Sequence, residues 1–123
     1  MKTDKKELKN QYKQTLQPMG IYQIKNLING KIFIGCTKNL QGKINSYKFQ
    51  LKQGCHMNRE LQKDYIHFGE ENFSFEVLDY LEPQEDPKYD YSEDLIVLEE
   101  IWIEKLQPFD DKGYNKNSKS TLK

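Results

Sequence analysis

The stretch GIYQIKNLINGKIFIG, residues 20–35, sets an aromatic residue on each arm of a hairpin, Tyr22 on the first and Phe33 on the second. Gly-Ile-aromatic is answered by aromatic-Ile-Gly, the pattern of two phenols facing one site with one hydroxyl missing. A phenol donates or accepts a hydrogen bond at a defined place; a phenyl ring does neither. Downstream, Lys43, Lys48 and Lys52 recur along one segment, with Lys31 and Lys38 just before them. Phosphate contacts dominate nucleic-acid affinity, so such a cluster reads as a phosphate-facing patch or, equally, as an ordinary solvated helix face. The aromatics have plain readings too. Tyr22 suits a half-buried packing position, and Tyr47 suits a core position at helical spacing.

Charge supports the patch. The chain has equal numbers of basic and acidic residues, yet residues 1–65 hold 13 Lys or Arg against 4 Asp or Glu, and residues 66–110 hold 2 against 14. The last stretch, 111–123, returns to 4 against 1. Such segregation yields a basic face for phosphates and an acidic one elsewhere, provided the halves do not interleave. At 123 residues, 36% hydrophobic and 31% charged, the chain has the length of one domain with a modest core. The N-terminal MKTDKKELKN is charged throughout and no segment reaches membrane-spanning length, so an intracellular protein without membrane contact is expected. Cys36 and Cys55 have neither metal-ligand nor redox spacing and read as reduced thiols.

The elements that must position these residues follow from local patterns. Residues 19–27 and 31–35 are β-rich, and Asn29-Gly30 between them predicts a type I′ hairpin with both residues at positive φ. Leu40, Ile44, Tyr47 and Leu51 recur at helical spacing, with Thr37 or Asn39 as cap and Gly54 as stop; Gly42 inside costs about 1 kcal/mol relative to Ala. A second helix is expected over 58–68, ending at Gly69. Phe73, Phe75 and Val77 then alternate against Ser74, Glu76 and Leu78 as a third strand. EPQEDPKYDYSED reads as an exposed acidic connector. Ser92 is expected to cap a last helix that Pro108 ends. Residues 1–17 form a basic arm or short helix, 18–115 the domain, and 116–123 a polar, basic tail.

The ordered series Gly20-Ile21-Tyr22, Phe33-Ile34-Gly35, TKNL, GCHMNRELQKDYIHFGEENFSFEVL, LEEIWI and GYN resembles the GIY-YIG endonuclease family over about residues 19–115. The resemblance implies an α/β domain of the α+β kind, a three-stranded antiparallel sheet flanked by helices, in agreement with the elements above. It also implies hydrolysis of a DNA phosphodiester with one divalent cation, magnesium or manganese. Such a displacement needs a cation, a guanidinium and a positioned proton acceptor around the charge that develops on phosphoryl oxygens.

Carried across, Tyr22 is the first phenol and Glu99 of LEEIWI the metal carboxylate, unless Glu99, beside Glu100, is only solvated helix surface. Tyr47 falls where the family uses Tyr or His, His56 where its homing branch keeps a second histidine, and Asn115 of GYN matches its late asparagine. By itself His56 reads as a surface residue. The departures are central. Phe33 replaces the second-motif tyrosine, and Lys43 replaces the helix arginine, keeping the charge without the bidentate fork. Loss of a positioned acid or base costs about 10² to 10⁴ in rate. The expectation is a degenerate, cleavage-impaired or inactive member that binds DNA, a protein partner or its own copies as regulator, inhibitor or decoy. The alternative is an active magnesium-dependent endonuclease. Relatives that cut specific sequences generally carry a DNA-reading domain, so target choice would fall to an oligomer, a partner or the arms.

Overall fold

The computed structural model describes residues 17–116. The arm expected over 1–17 and the tail expected over 116–123 therefore lie, apart from their inner residues, outside the described residues. The elements are β1 (Gly20–Asn26), β2 (Ile32–Thr37), α1 (Leu40–Gln53), α2 (Arg59–Phe68), β3 (Phe73–Tyr80) and α3 (Ser92–Leu106). Short 3₁₀ turns occupy Glu70–Asn72 and Asp110–Lys112. The sheet is antiparallel in the order β2-β1-β3.

The hairpin forms as expected, but not through a type I′ turn. Four residues, 27–30, make the loop, and among them only Gly30 takes a positive φ, 80°. The reason lies at the end of β1. Asn26 is fully buried, its Nδ2 donating to the Tyr114 hydroxyl (3.0 Å) and its Oδ1 accepting from the Ile28 N–H (2.9 Å). That anchor fixes Asn26 in the ladder opposite Lys31, and a four-residue loop needs only one left-handed glycine.

The remaining boundaries come from caps. Asn39 caps α1, accepting from the Gly42 N–H (3.0 Å), while Thr37 Oγ1 accepts from the Asn39 N–H (3.1 Å). Gly42 therefore stands in the first turn, where a Cβ would crowd the Asn39 carboxamide, rather than in mid-helix. Asn58 caps α2 by accepting from the Leu61 N–H (3.0 Å). Ser92 does not cap α3. Tyr91 holds that position, and the Asp90 carboxylate accepts from the Ser92 N–H (2.9 Å). Burial explains the shift. Tyr91 packs with Met19 and Leu95, and its hydroxyl accepts from the Gln84 N–H (2.9 Å), which also ties down the acidic connector.

Three layers result. On one face of the sheet Ile24 and Phe73 pack with Leu51 of α1, Leu61 and Tyr65 of α2, and Tyr114. On the other, α3 lies over β1 and β2 and is tied to β3 where Trp102 Nε1 donates to Asp79 (3.1 Å). No helix among the described residues is long and apolar enough to cross a membrane.

Candidate active site

Tyr22 stands opposite Gly35, and Phe33 opposite Ile24, so the two aromatics share a face diagonally across the hairpin. The Tyr22 ring lies across Gly35. A Cβ there would fall 2.2 Å from the Tyr22 hydroxyl oxygen, which is why the motif needs a glycine at that residue. Helix α1 then adds Tyr47, edge-on to Tyr22 at 5.8 Å between ring centroids and 6.4 Å from Phe33. Tyr22 and Phe33 are themselves 6.4 Å apart. Burial pushes the Tyr22 hydroxyl far above the ordinary phenol value, and its hydrogen bond with Tyr47 and the charge of Glu99 push the same way. At neutral pH it is a hydrogen-bonding phenol, not a phenolate.

His56 completes the cluster. Its ring meets Tyr47 edge-on at 4.4 Å and Phe33 at 6.0 Å, and it is 4% exposed, not the surface residue its turn context predicts. The α1–α2 loop folds inward because the Gln62 side chain accepts from the His56 N–H (2.9 Å) and donates to the Leu51 carbonyl (2.9 Å). Nδ1 accepts from the Asn58 N–H (3.0 Å), leaving Nε2 buried without a partner. Burial holds this imidazole below its usual value, so it is neutral with the proton on Nε2.

Lys43 sits one helical turn before Tyr47, with Nζ 5.1 Å from the Tyr47 ring centroid. From the other side of the sheet α3 brings Glu99 beside Cys36 and within electrostatic reach of the Tyr22 hydroxyl. Cys36, which reads from sequence as an ordinary reduced thiol, stands at the site. Burial, then the adjacent Glu99 carboxylate, push its thiol up to about 11, so it stays protonated at neutral pH. Strand alternation after Gly35 was the available signal, since it turns Cys36 to the face that α3 covers.

Asn115 works on the backbone. Its Oδ1 accepts from the Ile34 N–H (2.9 Å) and its Nδ2 donates to the Ile34 carbonyl (2.8 Å). With Gly113 bridging Ile32 in parallel, the 113–115 segment closes the outer edge of β2 directly behind Phe33 and Gly35.

The five lysines do not form one patch. Lys31 is bound to Glu60 (2.6 Å), and Lys38 lies 3.8 Å from Asp90. Lys48 and Lys52 project from the opposite flank of α1, where Lys48 Nζ stands 5.1 Å over the Phe75 ring. Only Lys43 joins the Tyr22 cluster.

The comparisons agree with this geometry. A family model described as the GIY-YIG catalytic domain matches residues 18–115. Intron-associated endonuclease 1 of Enterobacteria phage T4 is 32% identical over 97 residues, covering 78% of this chain and 36% of that protein. The chain thus spans about a third of the curated relative it matches. The catalytic domain of the homing endonuclease I-TevI superposes with a TM-score of 0.67 at 28% identity, over 80% of this chain and 98% of that one. A mutant of the same catalytic domain gives 0.66 at 27%, over 80% and 93%. Residues 18–115 make most of this chain, and it therefore belongs to the GIY-YIG catalytic domain family.

Proposed function

We propose that this domain binds a nucleic-acid phosphodiester, with a divalent cation, on the face formed by Tyr22, Lys43, Tyr47 and Glu99, and that it cleaves that bond poorly or not at all. Its contribution is then occupancy of a DNA site, as a regulator, inhibitor or decoy. The observation that carries this reading is the Phe33 ring. It lies in the centre of the cluster, 6.4 Å from the rings of Tyr22 and Tyr47, where a group able to hold a water or proton is wanted, and it offers neither donor nor acceptor.

The donor set suits a hard cation. Among the described residues no three His, Cys, Asp or Glu converge, and Glu99 is the one carboxylate at the cluster. Magnesium binds such a site through one or two carboxylates and completes its shell with water and phosphate oxygens. Glu99 would hold it, and when bound it supplies charge to stabilise the phosphoryl oxygens. The chain's own side chains do the rest. Tyr22, held protonated by burial, donates to a phosphate oxygen or a water. Lys43 neutralises one phosphate as a point charge, without the two parallel bonds of a guanidinium. Neutral His56 and Phe33 flank the Tyr47 ring and hold its orientation.

One observation favours the second reading, an active endonuclease. Tyr47 meets Tyr22 edge-on at 5.8 Å between ring centroids, so two phenols remain in the site without one at residue 33. Nicking of supercoiled plasmid in magnesium or manganese decides between them. On the favoured reading the wild type is inert or slow, and Phe33→Tyr with Lys43→Arg raises the rate at least about 10²-fold. Brisk wild-type nicking that Glu99→Ala abolishes and the double substitution does not improve would refute it.

A further inference from the structure

We infer that the seam between α1 and β3 is a second nucleic-acid contact, one that takes a single strand continuous with the duplex at the Tyr22 site. The inference rests on the proposed binding of nucleic acid at that site. The seam exists because α1 lies over β1 and β2, leaving the α1-facing side of the edge strand β3 half covered. Two hollows follow it. One, about 420 Å³, has Phe73 and Phe75 as floor, Lys48, Phe49 and Lys52 as one wall and Glu70 beside Tyr65 at its far end; the other, about 270 Å³, lies between Ile44 of α1 and Val77 and Tyr80 of β3. These volumes hold a nucleotide or so each, not a duplex.

Three features select the occupant. Phe49 is 63% exposed on a helix whose apolar positions otherwise turn inward, and Tyr80 is 61% exposed at the other end. The face of Phe75 already carries the Lys48 ammonium at 5.1 Å. Lys48 and Lys52, one turn apart on either side of Phe49, have no carboxylate within ion-pairing distance among the described residues, unlike Lys31 and Lys38. Cations interleaved with the exposed rings of Phe49 and Tyr80 are what a single strand requires, phosphates on the lysines and bases on the rings. An acidic peptide would answer the lysines but would bring no bases to stack on the exposed rings of Phe49 and Tyr80, and is disfavoured.

Lys43 and Lys48 are five residues apart, about 140° around the helix and about 7.5 Å along it. A nucleic acid gripped at Lys43 therefore reaches the seam by crossing α1. The chemistry this fits is a branched or frayed substrate, with its duplex on the Tyr22 face and its unpaired strand in the seam.

The test uses the full chain, a fluorescent ten-residue oligothymidylate, a blunt duplex, and amide and aromatic resonances followed by NMR. Oligothymidylate is expected to move resonances of Phe49, Phe75, Lys48 and Lys52. Phe49→Ala should weaken its binding about tenfold while leaving duplex affinity within about twofold. Lys48→Ala with Lys52→Ala should lower the slope of log affinity against log salt by about 1.4. These side chains are exposed, so their loss leaves the core intact. Perturbations confined to the Tyr22 face, or unchanged affinity and slope in these variants, overturn the seam and leave the site reading standing. Perturbation of the seam by oligothymidylate, with the Tyr22 face silent to duplex and magnesium, does the reverse. Displacement of the oligonucleotide by no nucleic acid but by an acidic peptide also overturns it.

Discussion

Replacing Gly35 with alanine is the most direct test of how the site is built. The backbone at Gly35 lies outside the left-handed region, so alanine meets no conformational penalty there, and the effect is one of space alone. The new methyl would fall 2.2 Å from the Tyr22 hydroxyl oxygen, 2.5 Å from Cζ and 2.9 Å from Cε1. Tyr22 is buried and cannot swing into solvent; its ring must press on Tyr47 and Phe33. Overpacking of this kind costs about 2 kcal/mol. For a chain of this length that lowers Tm by about 8 °C, or the urea midpoint by about 1 M. The control is a double-mutant cycle with Tyr22→Ala, which alone should cost about 3 to 5 kcal/mol. In that background Gly35→Ala has nothing to strike and should be nearly neutral, giving a coupling of about 2 kcal/mol. Duplex affinity should fall with Gly35→Ala, since the phenol is displaced from Glu99 and Lys43. A loss below about 0.5 kcal/mol, or the same loss with and without the Tyr22 ring, would refute the claim that the ring dictates the glycine.

Two further outcomes follow from the geometry. Asn115→Ala removes both hydrogen bonds to Ile34 and should destabilise by about 1 to 3 kcal/mol in urea unfolding, with faster hydrogen exchange at the Ile34 amide; Asn115→Asp should rescue little, because a carboxylate cannot donate to the Ile34 carbonyl. Burial depresses the His56 pKa, so the unfolded chain binds this proton more readily than the folded one. The stability that neutral His56 contributes is complete above its ordinary value of 6.5 and is lost as pH falls below it. His56→Asn should therefore flatten the decline of Tm between about pH 6.5 and 5; an unchanged slope would mean that the imidazole is not held neutral.

Local pattern made much of the fold legible. Helical spacing over Leu40 to Leu51, alternation over Phe73 to Val77, and the glycines at 30, 54 and 69 mark elements that the structure contains. Where expectation and structure differ, a buried contact overrode a local preference. Asn29-Gly30 favours a two-residue turn, but Asn26 bound to Tyr114 commits β1 to a longer loop. Ser92 is a good capping residue, but the burial of Tyr91 moves the cap one residue earlier and makes Ser92 the first residue of the helix. His56 in a turn reads as a surface residue until the Gln62 carboxamide folds that turn against Leu51.

The site divides along the same line. Residue type is a property of sequence, and the missing hydroxyl at Phe33, the point charge of Lys43 and the carboxylate of Glu99 were all visible there. Their meeting was not. Tyr22 reaches Tyr47 through the register that sets it against Gly35, Glu99 arrives from the opposite layer beside Cys36, and the lysines part company around α1, leaving one in the cluster and two on another groove. Periodicity is a short-range signal, carried by neighbours a turn or a pleat apart. Which groups face one another across layers is decided by packing between residues far apart in the chain, and only the folded structure records it.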